Sequence, residues 1–152
     1  MVTYFDVADY FIWLANTTGS YISNLKLQKL VYYSQAWHLA LEDEPLFEED
    51  FEAWIHGPVI PALYRSYKKF GATPIIKDYI TLNLPDLVVS HLKSIADEYF
   101  GIDAYDLERM THREQPWIIA RGEIPNTQPS NSIIKKQWMQ EYYKEYAEEE
   151  ES

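Results

Sequence analysis

The chain has 152 residues, 47% hydrophobic and 16% aromatic, which favours one domain with a single core and excludes disorder over most of the chain. Cysteine is absent, so disulfides, thiolate nucleophiles and cysteine-ligated zinc are excluded. Thirteen Lys and Arg against 24 Asp and Glu give a net charge of −11, which argues against a nucleic-acid partner and favours a basic protein.

Two amphipathic helices are predicted first. Thr3 and Asp6 make a helix start, and the segment 17–20 ends that helix. Ser23 can cap a second helix, which we expect to be the longest and to lie at the centre of the domain. Six of its residues, all apolar except the serine, share one face: Leu27, Leu30, Val31, Ser34, Trp37 and Leu41.

The middle of the chain is predicted to be less regular. Residues 42–52 are rich in acids and are interpreted as a solvated turn leading into a short helix that ends near Trp54. Gly57 suits the left-handed conformation that ends a helix and Pro58 suits the first turn of the next, so two helices are predicted to meet there. Residues 72–85 are predicted to be irregular, with at most a short β element near 74–82.

Four further helices are predicted after Pro85. The first ends at Gly101, the second starts at Asp103, and the third begins at Pro116. The last begins near Ser132 and directs inward Ile134, Trp138 and Tyr142. The fold class is therefore mainly α, a single compact domain of seven or eight helices over residues 1–146, followed by an acidic mobile tail at 147–152.

The sequence contains no spacing typical of a catalytic, metal or cofactor site. Its four histidines, His38, His56, His91 and His112, do not form a motif that places two ligands on one helical face. Phosphate-binding loops and nucleophile elbows are also missing. We therefore predict no catalytic residue, no metal and no cofactor. A site dispersed over His38, His56 and His112, or an acid–base pair of His112 with Glu114, stays open as the enzymatic alternative.

No stretch approaches the roughly 18 uninterrupted apolar residues that a membrane-spanning helix needs, and no secretory signal is evident at the start of the chain. A cytoplasmic protein without a membrane partner is therefore expected.

Three blocks of sequence carry a family resemblance. They are LKLQKLVYYSQAWHL at 25–39, EAWIHGPVIP at 52–61, and the pairs Thr111–His112 and Pro116–Trp117. In order and spacing they resemble the Panacea-domain family of SocA-like antitoxins, also described as phage-associated proteins, over roughly residues 5–145. The resemblance implies an antitoxin-like protein that neutralises a cognate toxin by direct contact, in a toxin–antitoxin or phage-defence locus. A proteolytic adaptor that hands the toxin to a protease, or a phage–host interaction protein, is the alternative.

The signature residues fall into two groups. We expect a structural role for Trp37, Trp54, Gly57, Pro58 and Trp117. The polar residues of the second helix either satisfy buried ends of neighbouring helices or face a partner. Together with His56, next to Gly57, they are the candidate partner-binding residues: Lys26, Gln28, Lys29, Tyr32, Gln35 and His56. The expected partner is a basic toxin, with a protease or a second copy of the chain left open.

Overall fold

Residues 2–151, which the computed structural model describes, form seven α-helices and a small three-stranded sheet. The helices are α1 Tyr4–Thr18, α2 Asn24–Glu42, α3 Pro61–Tyr67, α4 Asp86–Tyr99, α5 Ala104–His112, α6 Gln115–Arg121 and α7 Lys136–Glu151. The strands are β1 Phe51–Trp54, β2 Gly57–Val59 and β3 Ile133–Ile134. The prediction of a mainly helical domain with seven or eight helices is confirmed.

Side-chain caps set the starts of three helices. The hydroxyl of Thr3 accepts from the backbone N–H of Asp6 at 3.1 Å, and the Asp6 carboxylate accepts from the N–H of Thr3 at 2.9 Å. Ser23 caps α2 and Asp103 caps α5 in the same way, through the side-chain oxygen. These caps satisfy N–H groups that have no partner within the helix. The predicted starts of α1, α2 and α5 are therefore confirmed.

Helix α2 lies at the centre of the domain, as predicted. It packs against α1, α3, α4, α5 and α7 and against strand β2, so most of its circumference is buried. The predicted apolar stripe of α2 is wrong at its C-terminal end, because Leu41 is 59% exposed. Leu41 lies at the rim of a cavity rather than in the core.

The sheet lies where a helix was predicted. Strand β1 pairs in antiparallel fashion with β2 on one side and with β3 on the other, and Trp54 stands opposite Gly57 in the β1–β2 hairpin. Phe51 and Ala53 are buried while their neighbours are less so, which is the period-two pattern of a strand. The predictions of a short helix ending near Trp54 and of a helix joint at Gly57–Pro58 are therefore wrong. Gly57 does have a positive φ, of 105°, but it closes a hairpin.

The segment 74–82 is irregular, as predicted, and contains no strand; the short β element of the domain lies instead at Phe51–Trp54, Gly57–Val59 and Ile133–Ile134. The backbone of the segment is held by α1 and by the loop before α2. The N–H of Ile75 donates to the carbonyl of Ile22 at 2.8 Å, and the side-chain amide of Asn16 donates to the carbonyl of Ile75 at 3.0 Å. These bonds replace those of a neighbouring strand, and the segment stays irregular.

Helix α7 continues through Glu151, so residues 147–151 of the predicted tail are helical, and Ser152 lies outside the described residues. The mobility of the tail stays a prediction. Ile134 is buried, as predicted. Trp138 and Tyr142 are half-buried, and the buried residues of α7 are their neighbours Met139 and Tyr143, so the predicted inward face of the helix was wrong by one position. None of the helices in residues 2–151 has the length and apolar character needed to span a bilayer.

Candidate functional site

Asn24, Gln28, Lys29, Ser34 and Gln35 are buried polar residues of α2. Ser34 bonds the carbonyl of Leu30 within the helix, and we call the other four the α2 polar cluster. Tyr32, beside them, is buried as well. This contradicts the interpretation of Gln28, Lys29, Tyr32 and Gln35 as partner-facing residues. The reason is that α2 is covered by other elements on nearly every side, so its polar side chains lie in the interior.

The α2 polar cluster hydrogen-bonds the backbone between residues 46 and 64. Gln28 accepts from the N–H of Ile60 at 3.1 Å, and the amide of Asn24 donates to the carbonyl of Tyr64 at 3.0 Å. Gln35 accepts from the N–H of Leu46 and donates to the carbonyl of Phe47, both at 2.7 Å. Much of this segment is not helical, so its backbone groups need partners from elsewhere. The cluster therefore supports the alternative in which these residues satisfy buried polar groups of neighbouring elements.

Lys29 and Gly57 are in direct contact. The Nζ atom of Lys29 donates to the carbonyl of Pro58 at 3.1 Å, and burial lowers the pKa of Lys29 to about 7. A Cβ atom at position 57 would lie 2.5 Å from Cε of Lys29 and 2.8 Å from Oγ1 of Thr111. The glycine thus makes room for a buried lysine, and residues from all three signature blocks meet at this point.

The two remaining candidates are Lys26, which contacts the chain before α5, and His56, which contacts the middle of α5. Nζ of Lys26 donates to the carbonyl of Phe100, just before α5 begins. Nδ1 of His56 lies 2.7 Å from the carboxylate of Glu108, and the His56 side chain is 71% exposed. We call the surface between them the α5 face, consisting of Lys26, His56, Tyr105, Glu108 and Arg109. Tyr105 is 70% exposed. The role of Lys26 and His56 in partner binding stays a prediction.

A second feature is a cavity of about 330 Å³ between α2, α4 and α7. Four aromatic side chains and three carboxylates line it, and we call it the aromatic–acidic pocket: Trp37, Tyr99, Tyr143 and Tyr146, with Glu98, Glu114 and Glu150. The indole N–H of Trp37 donates to the hydroxyl of Tyr99 at 2.8 Å, which fixes the two rings. Within residues 2–151, neither Lys nor Arg contributes to the lining.

Glu114 lies at the inner end of the pocket. The hydroxyls of Tyr33 and Tyr143 both donate to its Oε1 atom at 2.7 Å. Burial nevertheless raises the pKa of Glu114 to about 7, because desolvation of the charged carboxylate outweighs the two hydroxyl donors. This arrangement is not predicted from the sequence. Tyr33 belongs to the quoted signature, but nothing in the sequence shows that it meets Glu114 and Tyr143.

The structure shows the neighbours of His38, His56 and His112. His112 stacks on Trp117 at a ring distance of 4.1 Å while Glu114 faces the tyrosines, so the suggested His112–Glu114 pair is wrong. Nδ1 of His38 lies 2.7 Å from the carbonyl of Glu44, whereas His56 contacts Glu108. Within residues 2–151, no group of three or more potential metal ligands is placed to hold an ion.

Comparison with known proteins identifies relatives of this chain. The family model described as Antitoxin SocA-like, Panacea domain, matches residues 27–118. The curated protein Antitoxin SocA of Caulobacter vibrioides (strain NA1000 / CB15N) is 46% identical over 55 residues, which is 36% of this chain and 29% of that protein. The chain therefore aligns with less than a third of the length of that relative. No solved structure matches.

Proposed function

Because this chain belongs to the Antitoxin SocA-like, Panacea-domain family, we propose that it neutralises a cognate toxin by direct contact. The observation that carries the proposal is the family match over residues 27–118, a range that reaches from α2 to α6. The name of the relative, Antitoxin SocA, supports the same role for this chain. The proposed activity is binding rather than catalysis.

We propose the α5 face as the contact surface. The polar signature residues of the α2 polar cluster are engaged in internal hydrogen bonds, so the contact must use other groups. Except for Lys26, the residues of the α5 face lie within the family match, and they include an exposed tyrosine. Tyrosine supplies large contact area at low entropic cost and is common among the residues that dominate interface energies. The net charge of −11 favours capture of a basic toxin.

Co-expression with the toxic neighbouring gene of its own locus tests the proposal. Wild-type protein should restore growth and should co-purify with the toxin. Tyr105→Ala and His56→Ala should weaken both, at unchanged melting temperature, because both side chains are exposed. Tyr79→Ala is the matched control, since Tyr79 is 93% exposed in the segment between α3 and α4. Equal loss in the Tyr79 and Tyr105 variants would reject the α5 face.

Direct neutralisation and proteolytic handover give different results. If contact alone is sufficient, the purified protein should inhibit purified toxin in the absence of any protease. Rescue that occurs only in a host with an intact protease, accompanied by loss of the toxin, would show an adaptor instead. Turnover of a substrate by the purified protein, with no toxin bound, would contradict the proposal altogether.

A further inference from the structure

We infer that the aromatic–acidic pocket binds a lysine or arginine side chain of the protein partner. The inference rests on the proposed function in one respect only, namely that the partner is the toxin. Its other premises are the rings, carboxylates and volume of the pocket itself.

The aromatic side chains of the pocket form one packed group. The Trp37 ring packs against those of Tyr143 and Tyr146, at centroid distances of 5.5 Å and 6.0 Å, and all three side chains line the cavity. An ammonium or guanidinium group within about 6 Å of an aromatic centroid is attracted to the negative face of the ring, most strongly for Trp. Tyr33 stacks against Tyr99 at 4.2 Å and supports the wall from behind. The rings are therefore held in place before any ligand arrives.

The charges of the pocket have a single sign. Glu98, Glu114 and Glu150 come from three different parts of the chain and line the same space. The titratable base beside them, His91, bonds the carbonyl of Ser34 at 2.8 Å, and burial lowers its pKa, so it is neutral at neutral pH. A cationic ligand would supply the counter-charge that the lining itself does not provide.

The size and the spacing of the carboxylates favour an organic cation over a metal ion. A volume of about 330 Å³ lies at the small end of ligand pockets and suits one long side chain. A metal ion would need several oxygen ligands converging on one point, and within residues 2–151 no three acidic or histidine side chains are arranged in that way. Carboxylates spread around aromatic rings instead match a guanidinium or ammonium group on an apolar stem.

Titration of the purified full-length chain with blocked amino acids tests the inference. The probes are N-acetyl-arginine methylamide and N-acetyl-lysine methylamide, and the neutral isostere N-acetyl-citrulline methylamide is the control. We expect the cationic probes to shift the indole N–H resonance of Trp37, assigned with Trp37→Phe, and the citrulline probe to leave it in place. Equal shifts with citrulline would overturn the inference.

At pH 8, above its pKa of about 7, Glu114 is mostly ionised, and Glu114→Gln then removes the inner charge while keeping an oxygen that can accept from both tyrosines. The affinity for the arginine probe should fall at least about fivefold, because a charge-assisted contact is lost. Glu123→Gln changes the net charge equally on the exposed loop after α6 and should have no effect. Glu150→Gln, at the exposed rim, should weaken binding as well, so the test does not depend on one variant folding. Equal affinities in wild type, Glu114→Gln and Glu150→Gln would overturn the inference.

The same variants separate this inference from the proposed function. If the toxin binds wild type, Glu114→Gln and Glu150→Gln with equal affinity and growth is restored by all three, the pocket inference fails and the proposed function stands. If the arginine probe binds in a Glu114-dependent manner but no toxin is neutralised, the proposed function fails. A wild-type dimer that Glu114→Gln dissociates would make the occupant a second copy of the chain and overturn the assignment to a toxin.

Discussion

Substitution of Gly57 by alanine tests how the two main signature blocks fit together. Gly57 has φ +105°, a conformation that side chains of L-residues rarely adopt. A methyl group there would lie 2.5 Å from Cε of Lys29 and 2.8 Å from Oγ1 of Thr111. Lys29 is fully buried and bonded to the carbonyl of Pro58, so it cannot swing into solvent without breaking that bond.

Two costs add to the expected destabilisation. The positive φ costs about 1–2 kcal/mol for a residue with a Cβ atom. Displacement of Lys29 leaves the buried carbonyl of Pro58 without its donor, which costs a further 1–3 kcal/mol, roughly. We therefore expect Gly57→Ala to lower the free energy of unfolding by about 3 kcal/mol, or the melting temperature by about 6–12 °C in a domain of this size.

Two other glycines serve as controls for the separate costs. Gly19 has φ +71°, and no atom lies within 4 Å of the point that an alanine methyl group would occupy, so Gly19→Ala should show only the conformational cost of about 1 kcal/mol. Gly101 lacks both features, and Gly101→Ala should change the free energy of unfolding by less than about 0.5 kcal/mol. Urea unfolding followed by circular dichroism measures all three. Equal values for the Gly57 and Gly19 variants would refute the role of the Lys29 contact.

Two further predictions concern Glu114 and the acidic end of α7. Burial raises the pKa of Glu114 from 4.5 to about 7. The stabilisation linked to its protonated carboxyl group is therefore fully present below about pH 4.5 and is lost as the pH rises through 7. Over that range the free energy of unfolding should fall by about 3 kcal/mol in total. Glu114→Gln should remove this decline in urea unfolding measured from pH 4.5 to 8, and an unchanged decline would contradict the burial of the carboxylate. Deletion of residues 147–152 should shift the melting temperature by less than about 2 °C, since the glutamates at 148–150 are exposed, and a loss of several degrees would show that this segment packs.

The parts of the fold that the sequence predicts well depend on local chemistry. Thr3, Ser23 and Asp103 cap helices through hydrogen bonds that reach only three residues along the chain. The preference of Gly57 for a positive φ is local too, and it was predicted correctly even though the element around it was not. Helix starts and left-handed glycines can therefore be identified without knowledge of the tertiary structure.

Strand β1 shows why other parts were missed. One of its two partners is β3, Ile133–Ile134, which lies far along the sequence, and two residues carry no recognisable strand pattern. The tendency to form a strand depends on such neighbours more than on the residues themselves. The segment 74–82 shows the converse, because its apolar residues resemble a strand but find no strand to pair with within the described chain.

The candidate site was predictable only in its composition. The polar residues of α2 were identified, but their orientation depends on the path of residues 46–64, which wrap around the helix and receive its hydrogen bonds. The pocket depends on α4 and α7 meeting beside α2 and on Glu114 turning toward Tyr33 and Tyr143. Neither arrangement leaves a periodic signal in the sequence.

The burial of the signature residues decides which variants can report on partner binding. Alanine at Lys29 or Gln35 would remove a donor from a buried carbonyl, at about 1–3 kcal/mol each, so a loss of growth rescue could reflect a loss of folded protein. Tyr105 and Glu150 are exposed, and changing them leaves those internal bonds intact. If a variant at either position binds toxin less tightly at an unchanged melting temperature, the loss is therefore due to a changed binding surface. Tyr105 tests the α5 face, and Glu150 tests the aromatic–acidic pocket.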